Sequence, residues 1–349
     1  MRASRAPGPN TPPHHSGFLG TPPSWSPRRH RLKGTGLELG HVIVLAGGLS
    51  YEREVSLRSG RRVADALRAA DVPVELRDAD ATLLDSLTND PPDAVFPVLH
   101  GSAGEDGSIR DVLELLEVPY VGARPDACRV AWDKPTAKSV VRQAGIATPA
   151  SVALPKEVFH DLGAASVLDS IVDRLGLPLF VKPTRGGSAL GASVVREASE
   201  LPAAMVGCFA YGDAALIEQY IEGVEIAVSV IERAGEPLAL PAVEIVAPSG
   251  LYDYTARYDA GDTEFVTPAR LSPEAAQRAT AAAVTAHQAL GLRDLSRTDL
   301  IVDASGEVHF LEVNVAPGMT ETSLLPRAVS VAGLDLGFLC RDLILRRFP

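Results

Sequence analysis

Cysteine is scarce in this chain of 349 residues, and its scarcity excludes two classes of protein. The three cysteines, Cys128, Cys208 and Cys340, lie far apart and form no CxxC pair. A disulfide scaffold or a cysteine zinc site needs paired or clustered cysteines, so the sequence excludes both. Cysteine usage of this kind is typical of a reducing compartment, and we therefore expect a cytoplasmic protein.

Long apolar runs and an excess of basic charge are missing as well. No uninterrupted apolar stretch approaches the roughly 20 residues that cross a bilayer, so we expect a soluble protein with no membrane partner. The formal net charge is −11, whereas a nucleic-acid-binding protein normally presents a basic face. We accordingly expect no nucleic-acid partner.

Lysine and asparagine are also rare. Only five of the 33 basic residues are lysines, and asparagine occurs three times. Lysine carries a compact ammonium charge, whereas arginine carries a planar guanidinium group, so the two are not interchangeable. Each lysine in this arginine-rich chain is therefore a candidate functional residue. The lysines are Lys33, Lys134, Lys138, Lys156 and Lys182, and the asparagines are Asn10, Asn89 and Asn314.

Composition and periodicity divide the chain into four segments. Residues 1–39 are rich in proline and have no apolar periodicity, which predicts a disordered N-terminal tail. Over residues 40–133, apolar strand patterns alternate with amphipathic helical patterns, which is typical of a parallel sheet covered by helices. Residues 134–213 contain a hairpin around a glycine-rich loop. Residues 214–349 contain β-rich runs, an alanine-rich helix over 273–290 and a final hairpin.

The glycine-rich loop at 182–191 is the first candidate site. It reads Lys-Pro-Thr-Arg-Gly-Gly-Ser-Ala-Leu-Gly. Glycines allow backbone N–H groups to converge on an anion such as phosphate, although a flexible surface hairpin has a similar composition. Lys182 favours phosphate binding. It ends an apolar strand, where burying its charge is energetically unfavourable unless the ammonium group pairs with an anion. The loop lacks the Walker A, GxGxxG and GxSxG patterns.

The final hairpin is the second candidate. Glu312 and Asn314 share one face of a strand because side chains alternate, and Asp299 on the preceding strand can lie opposite them. Two carboxylates and a carboxamide form an all-oxygen ligand set suited to Mg²⁺ or Mn²⁺. A solvated polar strand face is the alternative. After the turn at Pro317-Gly318, residues 320–323 can cap a helix and present N–H groups to a carboxylate.

Two further turns follow strands near the N-terminal end of the chain. One places Glu52 at the head of a helix, where it either caps the helix dipole or holds a substrate ammonium. The glycine spacing of this turn does not fit dinucleotide binding. The other turn places His100 at the same edge of the sheet, where ligands bind in open α/β folds. A single histidine is nevertheless more often structural.

In this order, these motifs resemble those of ATP-grasp enzymes and, most closely, the D-alanine–D-alanine ligase family. The resemblance covers residues 41–349. It implies a three-domain ATP-grasp fold of the α/β class, with an N-terminal Rossmann-like domain over 40–133 and two further domains over 134–213 and 214–349. The strings behind it are GGLSYEREVSLRSG, LHGSAGEDG, WDK, KPTRGGSALG, EQYIEGVE, YDYTARY, RTDL and FLEVNVAPGMTETSLLP.

The resemblance also implies an activity. The family ligates two D-alanines into D-alanyl-D-alanine through an acyl phosphate, for peptidoglycan synthesis. This implies ATP as co-substrate, two Mg²⁺ ions or Mn²⁺ as cofactors, D-alanine as the other substrate, and a homodimer. Related ligases with D-lactate, D-serine or a secondary-metabolite amino acid as acceptor stay open as alternatives, as does a nucleotide-binding protein without turnover.

By the same resemblance, the candidate residues take roles. The ATP contacts are Lys134, Lys182, Gly186, Gly187, Ser188, Gly191, Glu218, Ile221 and Glu225, and the metal ligands are Asp299, Glu312 and Asn314. The catalytic residues are Glu52, Ser188, Tyr258, Arg297 and Ser323. The substrate-binding residues are Glu52, His100, Arg297, Gly318, Ser323 and Leu324. Two positions depart from the family pattern, Ala189 where a serine is usual and Arg257 where a lysine is usual.

Overall fold

The computed structural model describes residues 39–247 and 263–348, together with two short strands at 32–33 and 36–37. The α-helices are α1 (Arg53–Ala69), α2 (Leu83–Asn89), α3 (Ser102–Glu105), α4 (Ser108–Leu115), α5 (Pro125–Trp132), α6 (Lys134–Gln143), α7 (Lys156–Leu162), α8 (Ala164–Leu175), α9 (Leu201–Phe209), α10 (Pro273–Ala289), α11 (Leu324–Val331) and α12 (Leu336–Leu345). The strands are β1 (Leu32–Lys33), β2 (Gly36–Leu37), β3 (Val42–Ala46), β4 (Val74–Asp78), β5 (Ala94–Pro97), β6 (Ser151–Pro155), β7 (Leu179–Pro183), β8 (Ser193–Val195), β9 (Ala214–Gln219), β10 (Gly223–Arg233), β11 (Glu236–Ala239), β12 (Val243–Val246), β13 (Glu264–Val266), β14 (Leu295–Asp303) and β15 (Val308–Asn314).

The N-terminal sheet is parallel, as the alternation of strand and helix patterns predicted. Its order is β4-β3-β5, and every residue of β3 is buried. Helix α1 packs closely on this sheet, because a Cβ added at Gly60 would lie 2.5 Å from the Cβ of Ala46. The carboxyl ends of β3 and β5 therefore lead into neighbouring turns, which contain Glu52 and His100.

The central and final sheets are antiparallel. The central sheet has the order β6-β9-β7-β8, and the predicted hairpin around the glycine-rich loop is confirmed as the β7–β8 pair. The final sheet has the order β13-β12-β10-β14-β15, with β11 paired to β10. Strand β9 thus belongs to the central sheet. The division at 133 and 213 remains a prediction, and this pairing favours a second boundary after Gln219.

Helices α11 and α12 bring the end of the described chain back to the N-terminal sheet. A Cβ added at Gly337 in α12 would lie 2.2 Å from the carbonyl oxygen of Ala66 in α1, so these helices touch at their backbones. One apolar cluster joins Val44 of the N-terminal sheet, Ile231 of the final sheet and Leu325 of α11. The N-terminal and final sheets therefore share a core.

Several sequence predictions were incomplete at element boundaries. The last hairpin was expected over 300–302 and 308–313, but β14 begins at Leu295 and includes the polar residues Ser296, Arg297 and Asp299. Polar residues lowered the strand signal there, yet tertiary packing buries them. Residues 1–39 were expected to be disordered. Within them the structure describes a short antiparallel ladder, β1 with β2, and Leu39, which is buried; the remainder lies outside the described residues.

Among the helices of residues 39–247 and 263–348, none combines the length and the apolar character needed to cross a membrane.

Candidate active site

A cleft of about 1090 Å³ lies where the three sheets approach one another. Its lining includes residues from the turn after β3, the start of α6, the β7–β8 loop, the β9–β10 connection and the β14–β15 hairpin. This volume lies slightly above the usual range for ligand pockets, about 300–1000 Å³, and suits a nucleotide together with smaller molecules. Two groups of residues at the wall of the cleft or behind it differ in chemistry. We call them the lysine side (Lys134, Lys138, Lys182 and Glu218) and the turn side (Glu52, His100, Glu105, Ser188, Gly318 and Ser323). Of these residues, Lys134, Lys182, Glu218 and Glu52 line the cleft itself.

Glu218 is the centre of the lysine side. It points from β9 between two lysines: its Oε1 lies 2.9 Å from Nζ of Lys182, and its Oε2 is bonded to Nζ of Lys138. All three side chains are buried. Buried charges persist only when they are paired, so this arrangement keeps one carboxylate and two ammonium groups ionised inside the protein.

The pKa values on the lysine side follow from burial and these charges. Burial lowers the pKa of Lys138 to about 8, a shift that Glu218 opposes and Lys182 reinforces. Burial would also lower the pKa of Lys182, but the attractions of Glu218, Glu312 and Asp299 together outweigh it, and the pKa of Lys182 is raised. In the same way the two lysines outweigh burial and hold the pKa of Glu218 below its ordinary value. All three groups are therefore charged at neutral pH.

Lys134 reaches two parts of the cleft from the first residue of α6. That helix begins at Lys134 because the Asp133 side chain accepts the backbone N–H of Thr136, a standard N-cap. Nζ of Lys134 donates to the carbonyl oxygen of Gly186 at 2.7 Å and lies 3.7 Å from Oε2 of Glu312. One lysine thus connects the glycine-rich loop with the final hairpin.

The glycine-rich loop takes a backbone path that favours glycine at two positions. Gly186 has φ of 130° and Gly191 has φ of 72°. A Cβ added at Gly191 would also meet the Tyr211 ring at 2.9 Å. Between them, Ser188 has φ of 56°, and its hydroxyl donates to Oε1 of Glu52 at 3.2 Å. The loop therefore extends from the lysine side to the turn side.

The predicted metal ligands come together on the β14–β15 ladder. Asp299 pairs in register with Glu312, and Arg297 pairs with Asn314. Arg297 donates two hydrogen bonds to the Asp299 carboxylate, at 2.7 and 2.8 Å. Oδ1 of Asn314 accepts the backbone N–H of Ala316 at 2.8 Å, which fixes the amide orientation. Carboxylate and amide oxygens are the ligand types that a hard divalent cation such as Mg²⁺ prefers, and here Arg297 occupies both oxygens of Asp299.

His100 lies behind the wall of the cleft. One ring nitrogen, Nδ1, is 2.9 Å from the carbonyl oxygen of Ala316, and Nε2 is 3.3 Å from Oγ of Ser59. That serine hydroxyl in turn accepts the backbone N–H of Met319 at 3.1 Å. Burial lowers the pKa of His100 to about 4, so the ring is neutral. Both nitrogens are thus engaged by protein atoms, and His100 is not among the residues that line the cleft.

Gly318 and Ser323 meet at the start of α11. A Cβ added at Gly318 would lie 2.6 Å from Oγ of Ser323, so a side chain here would displace the Ser323 hydroxyl. Oγ of Ser323 also accepts the backbone N–H of Thr320 at 3.0 Å. The Leu324 side chain is buried in the core, and only its backbone N–H, at the first turn of α11, remains to act on a ligand.

Glu105 is a second buried carboxyl on the turn side. Its Oε1 accepts the backbone N–H of Gly101 at 2.8 Å. Gly101 also lies close to Glu52, since a Cβ added at Gly101 would lie 2.5 Å from Oε2 of Glu52. Burial, reinforced by the charge of Glu52, raises the pKa of Glu105 to about 7, whereas the Gly101 N–H opposes the shift.

The remaining predicted residues fall in or outside the cleft as follows. Ile221 and Glu225, at the β9–β10 connection, line the cleft. Tyr258 and Arg257 lie outside the described residues. Sequence reasoning missed Lys138, Glu105 and Ser59. The rarity of lysine was a signal for Lys138 and the LHGSAGEDG string was one for Glu105, whereas nothing distinguished Ser59 from other helical serines.

Comparisons with known proteins agree with this geometry. Residues 140–345 match the family model described as "D-ala D-ala ligase C-terminus", and residues 79–123 match "D-ala D-ala ligase N-terminus". The chain is 39% identical over 303 residues to the D-alanine–D-alanine ligase of Moorella thermoacetica, covering 87% of this chain and 97% of that protein. It is 40% identical over 306 residues to that of Bordetella petrii, covering 88% and 91%.

Solved structures agree as well. The VanG D-Ala:D-Ser ligase from Enterococcus faecalis superposes with a TM-score of 0.76 at 30% identity, covering 89% of this chain and all of that one. The D-alanine–D-alanine ligase from Bacillus anthracis, complexed with ATP, superposes with a TM-score of 0.74 at 28% identity, covering 88% and 96%. These similarities confirm the ATP-grasp fold class.

Proposed function

The chain belongs to the D-alanine–D-alanine ligase family, and we infer from that premise that it is an ATP-dependent ligase that joins two D-alanines for peptidoglycan synthesis. The observation that supports this most strongly is the cleft itself. Buried lysines at one end, paired oxygen ligands on the hairpin, and a carboxylate–hydroxyl pair at the other end are the groups that phosphorylation of a carboxylate and attack by an amine need in one place.

The lysine side receives ATP. Lys134 and Lys182 hold the phosphates, and the glycine-rich loop at Gly186, Gly187 and Gly191 covers them with backbone N–H groups. Glu218 and Ile221 contact the adenine, and Glu225 holds the ribose. A positive field around the phosphates is the main requirement, since phosphoryl transfer is catalysed by positioning and charge stabilisation rather than by covalent help from the protein.

Asp299, Glu312 and Asn314 would hold two Mg²⁺ ions, or Mn²⁺. Bound there, the metal supplies Lewis-acid neutralisation of the β- and γ-phosphate oxygens. The ladder register supports this assignment, because it sets Asp299 beside Glu312. Lys134 is 3.7 Å from Glu312, so the ligand set adjoins the phosphate-binding lysines.

The turn side receives the first D-alanine. Glu52 holds its ammonium group, and Ser188 fixes the Glu52 carboxylate through their 3.2 Å hydrogen bond. Tyr258, outside the described residues, is proposed as a further partner of this pair. The D-alanine carboxylate oxygen bonds to the γ-phosphorus of ATP as the bond to ADP breaks, which gives an acyl phosphate and ADP.

The second D-alanine then attacks that acyl phosphate. Its neutral amine forms the C–N bond, phosphate leaves with the C–O bonding pair, and the departing phosphate takes up the proton that the amine loses. Arg297 and the Gly318 N–H stabilise the oxyanion of the tetrahedral intermediate. The Ser323 hydroxyl and the Leu324 N–H bind the second carboxylate at the start of α11, where the helix dipole favours an anion. We also propose that the enzyme is a homodimer in the cytoplasm.

One assay tests this function and the identity of the acceptor. Phosphate release is measured with ATP, Mg²⁺ and a panel of D-amino acids, L-amino acids and D-lactate, with the products identified by mass spectrometry. We expect release with D-alanine alone and D-alanyl-D-alanine as the main product. Release only with D-serine or D-lactate as second substrate would assign a different acceptor. Ala189, which stands where the family usually has serine, would then be a candidate determinant of acceptor choice. Absence of release with every substrate would indicate a nucleotide-binding protein without turnover.

A further inference from the structure

Lys138 is a buried charge that the reaction described above does not use. It is one of only five lysines in the chain, and 1% of its surface is exposed. It follows Lys134 by four residues on α6, so both project from the same face of the helix. Lys134 points to the glycine-rich loop, whereas Lys138 lies behind Glu218 and bonds to its Oε2.

The division of the Glu218 carboxylate between two lysines has a consequence for ATP binding. Oε2 belongs to Lys138 and Oε1 to Lys182, and both lysines are buried with the carboxylate. Lys182 can contact a phosphate only if its attraction to Glu218 is weakened or shared. A buried carboxylate that lost all its cationic partners would be strongly unfavourable. A second cation on Glu218 removes that obstacle.

We propose that Lys138 is a positioning residue for ATP, which compensates the charge of Glu218 so that Lys182 can turn from that carboxylate to the phosphates. This inference rests on the proposed function, in which Lys182 is a phosphate ligand. Lys138 would not touch ATP itself. Its effect would therefore depend on the phosphates, and it should be absent for a ligand that has only the adenine and the ribose.

The test compares ATP with adenosine in Lys138→Met. Methionine keeps a similar length and removes the charge. Dissociation constants are measured without D-alanine, by calorimetry for ATP and by displacement of a fluorescent nucleotide for adenosine. We expect ATP binding to weaken by at least about tenfold, or ~1.4 kcal/mol, while adenosine binding changes less than about twofold. Lys156→Met is the matched control, because Lys156 pairs with Asp213 at 2.6 Å on the surface; its two constants should stay at wild-type values.

A double variant tests the mechanism and protects the experiment against misfolding. With Glu218→Gln added, the 2.9 Å ion pair that holds Lys182 is removed, so the ratio of the adenosine dissociation constant to the ATP dissociation constant should equal that of Glu218→Gln alone. Far-UV circular dichroism and melting curves establish the folded fraction of each variant. If Lys138→Met itself does not fold, the double variant is compared with Glu218→Gln. A tenfold lower ratio of the adenosine to the ATP dissociation constant in the double variant would overturn the proposal, because Lys138 would then affect ATP binding without the Glu218 charge.

Each other outcome also has a definite meaning. Equal losses for ATP and adenosine would show that Lys138 only orients Glu218 towards the base, and unchanged ATP binding would show that it is purely structural; either result overturns the proposal. Lys182→Met separates this failure from that of the proposed function. If Lys182→Met binds ATP as tightly as the wild type, the phosphate role of Lys182 is wrong. If it loses ATP binding while Lys138→Met does not, only the present inference fails.

Discussion

The two sides of the cleft differ in how they handle charge. On the lysine side, full charges are buried and compensate one another, with Glu218 between Lys138 and Lys182. On the turn side, burial keeps His100 neutral and raises the pKa of Glu105 to about 7, and most contacts to the 315–323 loop are hydrogen bonds of hydroxyl and backbone groups. The triphosphate of ATP is highly anionic, whereas an amino acid is a zwitterion without net charge. Each side thus matches the charge of its proposed ligand.

The two sides also differ in the elements that hold them. The charged groups of the lysine side stand on α6, β7 and β9, which are regular elements. The turn side is built from loops that are held by hydrogen bonds between residues far apart in sequence, such as His100 with Ala316. We therefore expect variants on the lysine side to act through electrostatics and those on the turn side through loop geometry.

The largest effect is expected between the two sides, at the hairpin. Asn314→Ala or Glu312→Ala should leave the fold intact and reduce turnover by about 10³-fold, because neutralisation of phosphate charge by the metal contributes several kcal/mol. Steady-state phosphate release at saturating Mg²⁺ measures this. Glu307→Ala is the control, since Glu307 lies on the same hairpin but is exposed. Wild-type rates in a folded, metal-saturated Asn314→Ala would contradict the assignment of the metal ligands.

A smaller effect, confined to the amino-acid substrates, is expected for His100→Ala. Loss of the bond to Ala316 should displace the 315–319 loop and lower kcat/KM for D-alanine by up to about 10²-fold. ATP binding should not change, because the lysine side is untouched. His100→Asn should recover part of the loss, since an amide N–H can donate to the same carbonyl oxygen. A parallel loss of ATP affinity would show that the two sides are not independent.

The pH dependence of stability tests the turn side further. The pKa of Glu105 rises from about 4.5 to about 7 on folding, so its stabilising contribution is complete below pH 4.5 and is lost as the pH rises through 7. At ~1.4 kcal/mol per pKa unit, the cost at pH 8 is about 3 kcal/mol. Glu105→Gln keeps an acceptor for the Gly101 N–H. Urea unfolding should show it equal to the wild type at pH 4.5 and more stable at pH 8. Parallel pH curves would mean that Glu105 is charged in the folded protein throughout.

The smallest effect is expected where charge is exposed. Arg129 pairs with Asp111 at 2.6 Å, and more than half of each side chain is accessible. Exposed pairs contribute about 0–1 kcal/mol, so Arg129→Ala should change the free energy of unfolding by less than that and leave turnover unchanged. A larger loss of stability would show that an exposed ion pair can contribute as much free energy of unfolding as a buried one in this protein. The distinction drawn here between the exposed Arg129–Asp111 pair and the buried Lys138–Glu218 pair would then fail.

Sequence patterns predicted much of the fold because they are local. The helical periodicity of α1 and α10 and the hairpin around the glycine-rich loop are properties of short segments, and all three are confirmed. The pairing of Asp299 with Glu312 also followed from the hairpin, since only a short turn separates the strands. Strand β14 was predicted too short. Its buried polar residues contribute to the site and interrupt the hydrophobic pattern by which a strand is predicted from sequence.

The sequence by itself thus determined the element types, the candidate ligand sets and the family. Only the tertiary structure decided which side chains share a partner: Glu218 between Lys138 and Lys182, Ser59 beneath Met319, and His100 against Ala316, which is 216 residues away. The physical reason is that hydrogen bonding and desolvation depend on distance and burial in three dimensions. Spacing along the chain reports these quantities only within one helix or one hairpin.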